Sequence, residues 1–315
     1  MKNICVFGMG GIGGYAAAHL ISARELNPKS GLCITGIARG ESLRIMKEKG
    51  LKFRKPDGKE NVYFFDHLTD NPASLGEQDL IILCVKGYDL AAACAETRPI
   101  VRPGTCIMPL LNGIDIFERI RAVISGGIVL PACIFISAVR NEPGCIAQVG
   151  GRGNIAAGDD PRHRGHDPAP LVSLMKAADI PFEWQADAFP ALWKKYLFIA
   201  SFALVTGMSG KNFGQILESK ELSAAVQSII KEIYALAAAK GVALEDSVIM
   251  ATYESAKNFP YETTSSFARD LQVPGKPNEA ELFGATILRL GKELGIPVPA
   301  AKAAHEAIQA GMIKP

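Results

Sequence analysis

The sequence lacks a dominant charge. Its 315 residues carry 34 lysines and arginines against 32 aspartates and glutamates, a net charge of +2, and no block of like charges stands out. A chain with so weak a net field is not built to hold nucleic acid or an anionic membrane surface as its main partner. It also lacks a long uninterrupted apolar run, so no membrane span is expected. The amino terminus enters strand-like residues at once, with neither a basic region nor a small-residue cleavage site, the pattern of a protein that stays in the cytoplasm. No pair of its seven cysteines is spaced C-x-x-C; Cys5, Cys33, Cys84, Cys94, Cys106, Cys133 and Cys145 all fall in the first half, as small buried apolar groups of a reducing compartment. His163 and His166 flank Arg164-Gly165 in a proline-rich loop, and no metal site is expected there or elsewhere.

What is present begins at the first strand. Ile4 to Phe7 read as a buried strand and Ile12 to Ala23 as a helix, with Gly8, Gly10 and Gly13 at the junction in G-x-G-x-x-G spacing. In such a unit glycine makes the tight turn, lets main chain approach a pyrophosphate and brings helix close to strand. The phosphate sits on free N–H groups at the helix start, where the dipole favours negative charge. Gly8, Gly10, Gly11, Ile12 and Gly13 are therefore candidate cofactor-binding residues.

The first half alternates strands with helical patterns, as a parallel α/β sheet requires. Expected strands are Leu32 to Ile37, a hairpin within Leu51 to Phe65 turning at Pro56-Asp57-Gly58-Lys59, Asp79 to Val85 and Thr105 to Leu111. Ile128 to Val139, Cys145 to Val149, Asn154 to Ala157 and Pro181 to Trp184 follow, with a helix at Ala169 to Ala178 before the last. After about Ala188 helical periodicity takes over, with helices expected at Pro190–Gly207, Lys220–Lys240, Leu244–Lys257, Glu279–Leu294 and Pro299–Ala310. The fold class is thus α/β, a Rossmann-type dinucleotide-binding domain over residues 1–187 followed by an all-helical domain over 188–315. A cleft between them is the default place for a substrate.

The second strand ends Ile37-Ala38-Arg39-Gly40-Glu41. An acid at this strand end selects NAD, and an arginine accommodates the 2′-phosphate of NADP. No acid is there and Arg39 follows at once, so NADP is the expected cofactor; the alternative is a surface Arg39 with Glu41 on the ribose. Lys86 follows the buried strand DLIILCV directly and Asn112-Gly113 follows TCIMPLL directly, both at carboxyl ends of sheet strands, where open α/β sheets place ligands. The helix Leu192–Met208 is apolar nearly all round yet carries Lys194 and Lys195 near its head, candidate acids if they face a cleft and snorkelling surface lysines if they do not.

Together these segments resemble the ketopantoate reductases (2-dehydropantoate 2-reductases) over essentially the whole length. The resemblance rests on VFGMGGIGG, Ala38-Arg39-Gly40, Cys84-Val85-Lys86, Leu110-Leu111-Asn112-Gly113, Leu192-Trp193-Lys194-Lys195, Ser265-Ser266-Phe267 with Asp270, and Asn278-Glu279 with Gly295-Ile296-Pro297-Val298-Pro299. It implies NADPH-dependent reduction of 2-dehydropantoate to pantoate, a step of pantothenate biosynthesis. It selects Lys195, two residues after the tryptophan, as proton donor, with Glu279 helping to hold it. It makes Lys86 and Asn112 cofactor-side residues and places Ser266, Thr263, Asn112 and Lys195 against the substrate. The apolar surface of the helical domain suits a homodimer.

The sequence departs from the family along the lysine helix. Asparagines are usual one and two turns after the lysine; here those positions are Ile199 and Ala203, with Thr263 where another asparagine would stand and Asn212-Phe213-Gly214 in place of Asn-Gly. A site lacking those donors prefers a less polar 2-oxo acid or binds 2-dehydropantoate weakly, unless Thr263, Ser201 or Asn212 replaces them. A non-catalytic NADPH-binding protein is the alternative from another class, and retention of both Lys195 and Glu279 argues against it.

Overall fold

The computed structural model describes residues 1–311; the last four residues of the expected helical domain lie outside the described residues. The chain divides into two compact units, Met1–Leu111 with Ile116–Ala188, and Asn112–Asp115 with the chain from Phe189 onward. The strands are β1 Asn3–Phe7, β2 Cys33–Ile37, β3 Leu51–Arg54, β4 Glu60–Tyr63, β5 His67–Thr69, β6 Leu80–Leu83, β7 Cys106–Pro109, β8 Ile128–Val129, β9 Ala132–Glu142, β10 Cys145–Gly158 and β11 Phe182–Gln185. The helices of the first unit are α1 Gly11–Leu26, α2 Gly40–Lys49, α3 Leu90–Thr97, α4 Ile116–Val123 and α5 Ala169–Ala177. Those of the second are α6 Phe189–Ser209, α7 Phe213–Glu218, α8 Lys220–Ala239, α9 Ser247–Ser255, α10 Ser266–Leu271, α11 Thr286–Leu294 and α12 Pro299–Gln309.

In the first unit six parallel strands run in the order β5-β2-β1-β6-β7-β8. The order reverses between β1 and β6, which pair from Ile4–Leu80 to Phe7–Leu83. Open α/β sheets bind ligands at the carboxyl ends of the strands beside such a reversal. The four residues of β6 are all buried, as a strand covered on both faces demands, which is why it reads as one apolar run.

A second sheet, β11-β10-β3-β4 with β9 on β10, lies in the same unit, and α1 packs against β9 and β10 as well as β1 and β2. The expected strand Ile128 to Val139 divides at Pro131, which has no N–H to carry a ladder onward: β8 joins the first sheet and β9 the second. The two expected strands Cys145 to Val149 and Asn154 to Ala157 are one strand, β10, whose register against β9 slips around Gly150. Bulges of this kind let an irregular ladder continue. The three-residue strand β5 lies outside every expected strand.

The second unit is helical. Its centre is α6, buried from Leu192 to Gly207 on nearly every face and packed by α8, α9, α10 and α12. The expected helix Glu279–Leu294 has a wide π-helical turn at Glu281–Ala285 before α11. By length and composition α8 could cross a membrane. Here it serves as a core helix: Val226, Ile229, Ile230, Ile233 and Leu236 are fully buried, and the Glu232 carboxylate accepts the N–H groups of Ala300 and Ala301 at 2.7 and 2.9 Å. An acid on the first N–H groups of α12 suits that helix's dipole.

Candidate active site

At the switch of the parallel sheet the site is made of main chain. Gly8 ends β1 with φ +97°, a conformation that glycine adopts freely, and a side chain there would lie 2.9 Å from the Cys84 carbonyl oxygen past β6. Gly13 has no room either, because a Cβ would press on the Gly8 carbonyl, so the turn and the first turn of α1 pack directly together. Gly10 is different: a Cβ there meets nothing within 4 Å. It is also the N-cap of α1 and makes no side-chain cap bond, so no cap side chain covers the helix's first N–H groups. That combination, an open cradle over an uncapped helix start at a sheet switch point, fits a dinucleotide pyrophosphate. Gly11 serves packing instead; its Cβ would fall on the Ala138 carbonyl of β9. Lys86 is half-buried at the end of the β6 segment, where it caps the 3₁₀ turn Gly87–Asp89.

Arg39 lies at the expected strand end, at the N-cap of α2. Its guanidinium donates to both carboxylate oxygens of Glu96, on α3, at 2.5 and 2.6 Å. Arg39, Glu96, Asp70 and Asn71 line one open depression of about 560 Å³. Glu41, the alternative ribose acid, is exposed on α2 beside Arg44 at 3.9 Å. Burial pushes the thiols of Cys5 and Cys94 up to about 12 and that of Cys106 to about 11, and raises Cys84 further, so these cysteines stay protonated near neutrality.

In the helical unit the two lysines at the head of α6 part company. Lys194 is exposed, while Lys195 is half-buried and its Nζ donates to Asn112 Oδ1 at 2.9 Å. Asn112 is brought there by a short segment pinned at both ends. Gly113 has φ +129°, and Asp115, 8% exposed, accepts from Arg289 on α11 at 2.6 Å. Tyr196 is buried, and its hydroxyl donates to the Leu282 carbonyl of the π-helical turn at 2.6 Å. Glu279, 4% exposed, lies two residues before that turn. Ser266 is exposed at the first position of α10, whereas its neighbour Ser265 caps the helix through Ala268 N–H and pairs with Thr206 at 2.7 Å. Thr263 is half-buried, and its carbonyl accepts from Phe213 N–H at 2.8 Å.

Comparison with known proteins decides the family. Residues 4–162 match the ketopantoate reductase PanE/ApbA family and residues 187–311 its C-terminal part. This chain belongs to the ketopantoate reductase family. It is an oxidoreductase by that membership. It is similar to the 2-dehydropantoate 2-reductase of Halobacterium salinarum, 28% identical over 269 residues that cover 82% of this chain and 85% of that protein. An uncharacterized oxidoreductase of Bacillus subtilis, YkpB, is 24% identical over 304 residues, 96% of this chain and 97% of its own. The crystal structure of 2-dehydropantoate 2-reductase from Porphyromonas gingivalis W83 superposes with a TM-score of 0.84 at 28% identity, covering 98% and 99% of the two chains.

The positions one and two turns beyond Lys195 on α6 carry apolar side chains. Ile199 is half-buried and Ala203 is 1% exposed, on the face that begins with Lys195. Ser201 is fully buried and turns its hydroxyl back onto the Leu197 carbonyl at 2.6 Å. Asn212 caps α7 through Gln215 N–H and donates to Glu262 at 2.7 Å. Both amide and hydroxyl are thus engaged within the protein. The sequence reading missed Glu96, the Asp115–Arg289 pair and the Thr206–Ser265 link. The last of these had a signal, since Thr206 is eleven residues beyond Lys195 and so on the same helical face.

Proposed function

We propose that this chain reduces the keto group of a 2-oxo acid to a hydroxyl at the expense of NADPH, and that 2-dehydropantoate, giving pantoate, is the substrate to test first. The observation that carries the reading is the half-buried Lys195 ammonium held at 2.9 Å by Asn112 on a helix that otherwise buries apolar side chains. In this reading residues 1–187 hold the cofactor, with the N–H groups at the head of α1 on the pyrophosphate, Lys86 and Asn112 on the nicotinamide side and Arg39 on the 2′-phosphate. Residues 188–315 hold the substrate and the dimer contact, and the enzyme works in the cytoplasm. The bound cofactor supplies a hydride to the keto carbon. Lys195 Nζ gives its proton to the keto oxygen, and its charge stabilises the alkoxide as it develops. Asn112 fixes the direction of the ammonium, Glu279 holds the lysine, and Thr263 and Ser266 offer hydroxyls to the substrate carboxylate.

A second reading, a less polar 2-oxo acid, is supported by Ser201 and Asn212. Both side chains already have partners within the protein, so neither replaces the amides absent at Ile199 and Ala203. The test is NADPH absorbance with a panel of 2-oxo acids. Oxidation with 2-dehydropantoate supports the first reading. Oxidation only with less polar acids moves the assignment to the second, and no oxidation with any 2-oxo acid overturns both.

A further inference from the structure

The helix that carries Lys195 runs into a cluster of four phenylalanine rings. Phe198 and Phe202 stand three and seven residues beyond the lysine, on the same side of the helix, and their rings are 4.9 Å apart. Phe213, at the start of α7, contacts both, at 5.9 and 4.7 Å. Phe259 closes the group, stacked on Phe198 at 5.3 Å with the rings 18° from parallel, and 5.6 Å from Phe213. Two of these rings are ordinary core, Phe202 at 1% and Phe213 at 4% exposure. The other two are not: Phe198 is half-buried and Phe259 is 45% exposed. A large ring left in water forgoes the free energy of its burial. Two stacked rings graded from core to solvent therefore make a surface on which a third flat group gains by covering them.

The position of that surface gives it a function. Phe198 is three residues from Lys195, about 4.5 Å along the helix axis. Phe259 leads into the segment that carries Thr263 and Ser266, and that segment is tied to α7 by Phe213 N–H to the Thr263 carbonyl and Gly214 N–H to the Tyr261 carbonyl, at 2.8 and 3.0 Å. The rings thus connect the candidate proton donor with the candidate carboxylate-binding hydroxyls. A 2-oxo acid spans just those functions with its keto oxygen and carboxylate, leaving its side chain for the rings. Ile199, half-buried, adds apolar surface on the same face, and neither it nor the buried Ala203 offers a donor to a substrate hydroxyl.

We infer that the side-chain pocket of this reductase is built for an aryl group, and that its substrates are 2-oxo acids bearing a ring on or next to the keto carbon. This rests on the 2-oxo acid reading above and narrows it. The ring packs on Phe198 and Phe259 while hydride from the reduced cofactor adds to the keto carbon and the Lys195 proton goes to its oxygen, giving the aryl 2-hydroxy acid and the oxidised cofactor.

The test compares phenylglyoxylate and phenylpyruvate with 2-oxobutyrate and 2-dehydropantoate by NADPH absorbance, in the unaltered protein and in Phe259→Ala and Phe198→Leu. The aryl acids are expected to have the highest kcat/KM. Phe259→Ala, at an exposed position, should lower the ratio of aryl to aliphatic kcat/KM by about tenfold, chiefly through KM, since a ring pair and its covered area amount to 1–2 kcal/mol. Phe198→Leu, which keeps the core filled, should lower the same ratio. Aliphatic acids turning over faster than aryl acids, or a ratio unmoved by either substitution, overturns the inference while leaving the 2-oxo acid reading intact. Oxidation by no acid of either kind overturns that reading and this inference together.

Discussion

At the carboxyl end of β1 the candidate site is main chain: a turn with positive φ at Gly8, an uncapped helix start at Gly10, and carbonyls packed where side chains would otherwise stand. At the head of α6 it is side chain: an ammonium on an amide oxygen, a tyrosine on a carbonyl, and phenylalanines in series. The difference decides what each can vary. Main chain presents the same N–H groups whatever the neighbouring residues, provided that the missing Cβ atoms stay missing. A helix face can exchange asparagine for isoleucine or alanine with its backbone undisturbed, and the chemistry it offers then changes while the fold does not. In the reading proposed above, the first end would hold the cofactor and the second would meet the substrate, so only the second can change its chemistry without a change of backbone.

The sharpest break between the two is expected at Lys195. Lys195→Ala should lower kcat by about 10²- to 10⁴-fold, the usual loss of a positioned proton donor, and leave the NADPH dissociation constant within about twofold. Both are read by absorbance and by nucleotide fluorescence. An equal loss in both quantities would mean that the helical unit, not the glycine turn, dominates cofactor binding. The glycine turn offers the converse pair. Gly13→Ala presses a methyl onto the Gly8 carbonyl and should cost about 1–3 kcal/mol of stability in a denaturant titration. Gly10→Ala meets no protein atom within 4 Å, so it should cost less than about 1 kcal/mol of stability. Its methyl enters the pyrophosphate cradle, and NADPH should bind about tenfold more weakly. A stable Gly10→Ala that binds NADPH normally would place the pyrophosphate elsewhere.

This contrast also explains what could be read in the sequence. The strand–turn–helix unit was legible because glycine is the residue that such geometry selects, and the parallel sheet because β6 must be apolar on both faces. The break at Pro131 was legible in principle, since proline ends a ladder, but the apolar run on either side hid it. Lys195 could be separated from Lys194 only by the family pattern; burial and the bond to Asn112 now separate them physically. Ser201 was not legible, because a serine's χ1 decides whether it serves a ligand or its own helix, and here it bonds the Leu197 carbonyl. Glu96 was the least legible of all, a helix acid 57 residues from the arginine it holds.

Arg39 and Glu96 test whether the first unit discriminates by side chain as well as by main chain. Arg39→Ala should weaken NADPH binding about tenfold and NADH by less than twofold. The lower end of the range for a charge-assisted bond applies because the Arg39 side chain is 56% exposed and screened. Equal losses for the two nucleotides would remove the 2′-phosphate from Arg39 and reopen the case for NAD.

The smallest effect is the most diagnostic. Glu96 takes two bonds from the group that would receive the phosphate, so a bound 2′-phosphate sits near a carboxylate as well as a guanidinium. At about 6 Å in a water-like dielectric, a single negative charge repels a dianion by about 1.4 kcal/mol, and physiological salt roughly halves that. Glu96→Gln removes the repulsion and keeps a polar partner for Arg39. NADPH should then bind about threefold more tightly, NADH unchanged, and the gain should shrink as salt is raised. If Glu96→Gln instead weakens NADPH, the carboxylate is a positioning partner that holds the guanidinium toward the phosphate. The preference for one nucleotide would then be set by the pair and not by the arginine alone.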